Sequence, residues 1–109
     1  MSTKFGLVRV SGAASLLGAF SVRKEKSLDS VPIAGANLIE GQDVAVELAA
    51  GTYWARYVIL IVENGFGGTF HYQLPIDGVS RYDSGAKNVD TTRGPRDQAV
   101  ERPWVQFNV

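Results

Sequence analysis

Three stretches of the chain have a large aliphatic or aromatic residue at every second position, with mostly polar residues between. They cover residues 43–48, 69–74 and 104–109. Their apolar positions are Val44, Val46 and Leu48, then Phe70, Tyr72 and Leu74, and finally Val105, Phe107 and Val109. A period of two places all the apolar residues of a stretch on one side of an extended chain and leaves the other side to water. Each stretch therefore predicts a β-strand with one buried face.

The stretch Tyr53–Val62 has large apolar residues on both sides, such as Tyr57 and Ile59 on one and Trp54 and Leu60 on the other. A strand of this kind lies at the centre of a structure or turns one face towards a partner. We expect this strand to be central or to contact another molecule.

Two further apolar runs, Phe5–Val10 and Leu16–Arg23, predict strands near the start. Residues 28–38 are predicted to be irregular, because Pro32 and Gly35 interrupt any long strand there. No stretch has convincing helical periodicity, and the 12 glycines separate short apolar runs as turns do.

Six or seven short strands of this kind, with turns about every 8–12 residues, predict an all-β fold. We predict an antiparallel β-sandwich of the jelly-roll or immunoglobulin-like kind, forming a single domain over residues 1–109. The run Gly41–Tyr57, a turn and an alternating strand followed by Ala-Gly-Thr-Tyr, resembles a phrase found in many β-sandwich modules. That resemblance implies the fold class and no particular family.

Residues 79–103 are polar, charged and without a regular pattern. Loops longer than about 12–15 residues are uncommon in compact domains unless they are functional or disordered. We therefore predict a long C-terminal loop or extended polar arm over residues 79–103, followed by the terminal strand.

Composition excludes several classes of function. The chain has 109 residues, 11 basic and 11 acidic, so its formal net charge of zero gives no general attraction to nucleic acid or to an anionic membrane. It has no cysteine, which excludes disulfides and thiolate chemistry. We expect no cofactor, metal or nucleic-acid partner. No signal peptide or membrane span is predicted, so we expect synthesis in the cytoplasm.

No catalytic pattern is recognisable. The only histidine, His71, lies at a polar position of a strand, with no serine, aspartate or second histidine at a telling spacing. Gly65, Gly67 and Gly68 fit no phosphate-binding spacing, and a hairpin turn at Asn64-Gly65 explains them better. We predict that the protein is not an enzyme, a hypothesis that loss of an activity in His71→Ala would reverse.

The first functional hypothesis is a structural or assembly subunit that self-associates into a homo-oligomer or larger assembly. Arms and terminal strands can add to the sheet edge of a neighbour. The candidate interface residues are Tyr82, Arg93, Arg96, Arg102 and Trp104. A capsid, decoration or tail component of a virion, or a filament subunit, is the class that we expect.

The alternative is a carbohydrate- or ligand-binding, lectin-like module. Such a module would gather aromatic and acidic residues in loops at one end of the sandwich. The candidates are Asn64, Phe66, Tyr82 and Asp83.

Overall fold

The computed structural model describes residues 2–12, 14–62, 69–88 and 98–109, with backbone alone at residues 88 and 98. These residues form strands and no helix, which confirms the all-β prediction. The strands in chain order are β1 (Ser2–Phe5), β2 (Val8–Gly12), β3 (Ser15–Arg23), β4 (Ala34–Ile39), β5 (Val44–Glu47), β6 (Thr52–Val62), β7 (Thr69–Ile76), β8 (Val79–Asp83), β9 (Lys87–Asn88), β10 (Gln98–Glu101) and β11 (Trp104–Asn108).

The strands make two antiparallel sheets. In sheet A, β7 is central, with β1 and β2 along one side, β8 and β9 along the other, and β5 beyond β1. In sheet B, β6 is central, with β3 on one side, β10 and β11 on the other, and β4 beyond β3. The sheets pack against each other, as predicted for a β-sandwich.

The core lies between the sheets and is rich in aromatic rings. Phe5 of β1 stacks on Phe20 of β3 with ring centres 4.3 Å apart, and meets Phe107 of β11 edge-on at 5.4 Å. Tyr53 of β6 stacks on Phe107 at 5.7 Å. Each large apolar side chain that is fully buried contributes about 1.5–3 kcal/mol. Side chains from both sheets therefore pack into one aromatic cluster, which holds the two sheets together.

The predicted inward positions are largely confirmed. Phe70, Tyr72 and Leu74 of β7 are buried, as are Val105 and Phe107 of β11. On β6 the inward side is fully buried and the outward side is half-buried, in strict alternation. The strand that is apolar on both faces is therefore the centre of sheet B, and its second face reaches the surface.

Two strand boundaries differ from the prediction. The single strand predicted over Phe5–Val10 is divided at Gly6 and Leu7, because the chain leaves β5 and continues along β7 as β2. The segment predicted to be irregular, residues 28–38, includes all of β4 except Ile39, because an edge strand accommodates Gly35. Pro75 lies inside β7 beside the break between β1 and β2, where its carbonyl oxygen accepts a hydrogen bond from the Gly6 backbone N–H at 3.0 Å.

Within residues 79–103, where a loop or arm was predicted, the structure has the strands β8, β9 and β10, joined to their neighbours by short connections at residues 84–86 and 102–103. Asp77 and Gly78, with φ of 53° and 79°, form a tight turn that folds β8 back onto β7. The strand β10 pairs with β6. The alternation was not recognisable because β8 is an edge strand whose residues are mostly exposed and polar on both sides. Residues 89–97 of the predicted arm lie outside the described residues.

Candidate functional site

An apolar row crosses the whole outer face of sheet B, the face turned away from the core. Ile39, Leu17, Leu60 and Val100 lie opposite one another on β4, β3, β6 and β10. Ile39, Leu17 and Val100 are 51%, 52% and 42% exposed. Contiguous exposed apolar surface is typical of an interaction site. This face therefore exposes apolar surface to solvent across the full width of the sheet.

Further along β6 the same face becomes cationic and aromatic. Arg56 lies between Ser21 of β3 and Trp104 of β11, which are its direct neighbours in register. Trp54 and Trp104 meet edge to face, with ring centres 6.5 Å apart at 80°. The Lys26 ammonium lies 5.2 Å from the centre of the Trp54 ring. Both tryptophans of the chain thus lie beside one arginine.

The two arginines on this face have different environments. Arg23 donates from Nε to Ser21 Oγ at 3.2 Å and from Nη1 to the carbonyl oxygens of Leu28, at 3.2 Å, and Ser30. It thereby fixes the loop between β3 and β4. Arg56 has no hydrogen-bond or ion-pair partner within the described ranges. Its N–H donors are therefore available to an external group.

A shallow depression of about 160 Å³ lies beside Arg56. It is lined by Ala19, Phe20, Ser21, Arg56 and Val58. It forms because β3 presents small side chains here, next to larger ones on β6. Asn37 of β4 is exposed and lies opposite Ala19, so an amide stands next to the depression.

The strand β4 is an open edge of sheet B. It pairs with β3 and with no other described strand. Its six residues include neither a charged residue nor a proline. Ile33 and Ile39, 52% and 51% exposed, stand at equal distances in sequence before and after Ala36. An uncharged exposed edge is a template for pairing with another strand.

Most other edges carry features that discourage pairing. A register shift follows Arg9 in β2, β5 has only four residues and includes Glu47, and β8 carries Arg81. The line formed by β10 and β11 is interrupted after Glu101, where Pro103 precedes β11. The strand β11 is also uncharged but one residue shorter than β4. Thus β4 is the longest uninterrupted uncharged edge in the described structure.

His71 has an acidic partner that the sequence did not reveal. On the outer face of sheet A, Asp83 accepts hydrogen bonds from the Gln73 side chain and the Gly85 backbone N–H, each at 2.8 Å. Its Oδ1 also lies 2.5 Å from His71 Nε2. The bonds from Gln73, Gly85 and His71, in that order, lower the pKa of Asp83 to about 2. Asp83, a candidate ligand residue, is already engaged within the molecule.

A polar bridge joins the two sheets. The Tyr72 hydroxyl of β7 donates to Glu101 Oε1 at 2.5 Å, and Lys87 Nζ donates to Glu101 Oε2 at 2.7 Å. Burial, reinforced by Glu101, raises the pKa of Tyr72, and the bond to Glu101 raises the pKa of Lys87. Tyr82 packs on Tyr72 at 5.9 Å. Tyr82 is therefore half-buried against the core.

The described residues among those predicted for an interface lie on different parts of the molecule. Trp104 lies on the outer face of sheet B, Arg102 is exposed between β10 and β11, and Tyr82 belongs to sheet A. The remaining candidates lie outside the described residues. They are Asn64, Phe66, Arg93 and Arg96. Arg56 and the β4 edge were missed, since their arrangement depends on strand order.

Within the described ranges, no group of three or more acidic or histidine side chains is placed to hold a metal ion. In the same residues no helix has the length and apolar character needed to cross a membrane. Comparison with protein-family models, curated proteins and solved structures finds no match to this chain. The outer face of sheet B and its β4 edge are therefore the candidate functional site.

Proposed function

We propose that the protein is a non-enzymatic structural subunit that self-associates, and that two copies pair through β4. The observation that supports this most directly is the edge itself: uncharged, uninterrupted and bordered by two half-exposed isoleucines. An added strand bonds to such an edge through its backbone.

The sequence around β4 is self-complementary in one register. If two copies of β4 run antiparallel about a two-fold axis at Ala36, Ile33 of one copy lies opposite Ile39 of the partner subunit. Residues directly opposite in a sheet share a face and lie about 4.5–5.5 Å apart. The dimer therefore has two contacts between Ile33 and Ile39 on the outer face of sheet B, one on each side of the two-fold axis.

Electrostatics do not oppose this pairing. The strand β4 has no charge, and the formal net charge of the chain is zero, so two copies experience little bulk repulsion. Two-fold pairs are the commonest symmetric assembly of soluble proteins, because one surface serves both partners. A second copy of the chain is therefore the occupant that we propose for this edge.

Larger assembly and the finer fold type extend the same proposal. At protein concentrations above those at which pairs form, contacts through Arg102 and Trp104, at the opposite edge of sheet B, would join pairs into a larger structure such as a capsid, tail, decoration or filament component. We also propose that the sandwich is of the jelly-roll or immunoglobulin-like type.

The test introduces opposite charges at the two isoleucines. We expect light scattering to give the wild type twice the 11.8 kDa mass of one chain. Ile33→Glu and Ile39→Lys should each give the mass of one chain, because a charge replaces an apolar contact. The double variant should restore the pair, since each introduced carboxylate then faces the introduced ammonium of the other copy. Both positions are half-exposed, so folding, checked by circular dichroism, should persist.

The matched control is Gln106→Lys, which adds the same charge at an exposed position on the opposite edge. It should leave the paired mass unchanged. A monomeric wild type would reject the proposal. So would single variants of unchanged mass, a double variant that stays monomeric, or dissociation by Gln106→Lys.

A further inference from the structure

We infer that the depression beside Arg56 binds a small acidic saccharide, a hydroxyl-bearing ring with an attached carboxylate. This inference goes beyond self-association and does not depend on it. Arg56 and the residues that line the depression lie on β3 and β6, not on the paired strand β4, so pairing through the β4 backbone does not involve them.

The carboxylate is assigned to Arg56. A guanidinium matches the two oxygens of a carboxylate with paired N–H donors, which gives direction as well as attraction. Arg23, the other arginine of this face, is already bonded to Ser21 Oγ and to loop carbonyls. Arg56 has no such partner in the described residues, and no described carboxylate lies within ion-pair distance of it.

The ring is assigned to the depression. Ala19 and Val58 give it an apolar surface, whereas Ser21, together with the exposed Asn37 amide beside it, can hydrogen-bond to ring hydroxyls. Its volume of about 160 Å³ is below the range of about 300–1,000 Å³ usual for sites that enclose larger ligands. The site therefore fits one ring.

Both halves of the ligand are needed. A simple anion meets only one unpaired arginine on a protein without net charge, so long-range attraction is weak. A neutral sugar leaves the Arg56 donors without a carboxylate. Only a molecule that joins the two groups uses the arginine, the hydroxyl partners and the apolar surface together.

The two tryptophans provide the measurement, because Trp54 and Trp104 both lie beside Arg56. Tryptophan fluorescence is titrated with D-glucuronate, and separately with D-glucose, acetate and inorganic phosphate, at constant ionic strength. We expect a saturable change with glucuronate whose Kd is at least tenfold lower than that of each other probe. Equal binding of acetate or phosphate, or of glucose, would overturn the inference.

Variants separate the arginine from general charge effects. Arg56→Gln should weaken glucuronate binding at least tenfold, and Arg56→Lys should weaken it less, because an ammonium keeps the charge and loses the paired geometry. Arg102→Gln removes the same charge from an exposed position and should leave the Kd unchanged. Unchanged binding in Arg56→Gln, or an equal loss in Arg102→Gln, would reject the assignment. These titrations give the same answer whether or not the chain pairs.

Discussion

Two buried tyrosines of the core have opposite polar environments. Tyr57 of β6 is completely buried, and its hydroxyl has no hydrogen-bond partner among the residues that the structure describes; burial raises its pKa. We predict that Tyr57→Phe leaves the free energy of unfolding unchanged or raises it by about 1 kcal/mol, because it removes a desolvated group without removing a bond. Urea unfolding measures the change.

Tyr72→Phe is the matched comparison, since it removes a hydroxyl that donates to Glu101. We expect it to lower the free energy of unfolding by about 1–2 kcal/mol, because a hydrogen bond to a carboxylate is lost. A greater loss in Tyr57→Phe than in Tyr72→Phe would contradict this account of the two hydroxyls.

At the scale of residues, the sequence predicted which side of a strand faces the core but not which residues meet across strands. The inward positions of β7 followed from alternation alone. The contact between His71 and Asp83 depends on β8 lying beside β7, and the position of Arg56 next to Trp104 depends on β11 lying beside β6. Register of this kind is set by the whole sheet, so no local spacing indicates it.

Among the elements, β2 depends on a glycine at its end. Gly12 has a φ of 107°, and a Cβ there would lie 2.1 Å from the Thr69 carbonyl oxygen and 2.8 Å from Phe70 Cα. These are backbone atoms of β7, which cannot move without breaking the sheet. We predict that Gly12→Ala lowers the free energy of unfolding by about 3 kcal/mol or more, combining the clash with a strained φ.

Gly41→Ala is the control for strain alone. Gly41 has a φ of 82°, and a Cβ there would meet nothing within 4 Å. We expect Gly41→Ala to lower the free energy of unfolding by about 1–2 kcal/mol, which is the cost of a left-handed φ for alanine. Thermal and urea unfolding compare the two variants, and equal losses would show that contact with β7 is unimportant.

Strands with one solvent-facing and one buried side were predictable, and strands without that contrast were not. The strands β5, β7 and β11 face the core on one side, so their alternation is visible in the sequence. The strands β4 and β8 lie at edges, where glycine and polar residues are tolerated and little pattern remains. The arm predicted over residues 79–103 arose from the same loss of pattern.

For the molecule as a whole, β11 completes the core. Val105 and Phe107 are 5% and 3% exposed, and β11 covers one side of the central strand β6. We predict that a chain ending at residue 103 does not fold. The two buried side chains alone contribute about 3–6 kcal/mol, comparable to the total stability of a small domain, about 5–15 kcal/mol.

Circular dichroism and thermal melting test the truncated chain. The matched variant is Gln106→Ala, which alters an exposed residue of the same strand and should melt like the wild type. A truncated chain with an unchanged melting temperature would show that β11 is dispensable.

The class of fold was predictable at this scale because it needs only the count and character of the strands. The order of the strands was not predictable, because the sequence does not indicate which other strands pair with β6. The outer face of sheet B gathers residues from β3, β4, β6, β10 and β11, so it exists only once that order is set. The pairing edge and the depression could therefore be identified only from the structure.

The strand β1 has a consequence for how quickly the chain reaches this structure. It lies between β5 and β7, and Phe5 pairs with Val44 on one side and Ile76 on the other. Joining such distant segments costs chain entropy before any contact repays it, so sandwiches form slowly, in about milliseconds to seconds. During that interval unfinished chains expose β4 alongside other unpaired strands. Dilution, or chaperones that hold unfolded chains, should therefore favour correct strand pairing over aggregation.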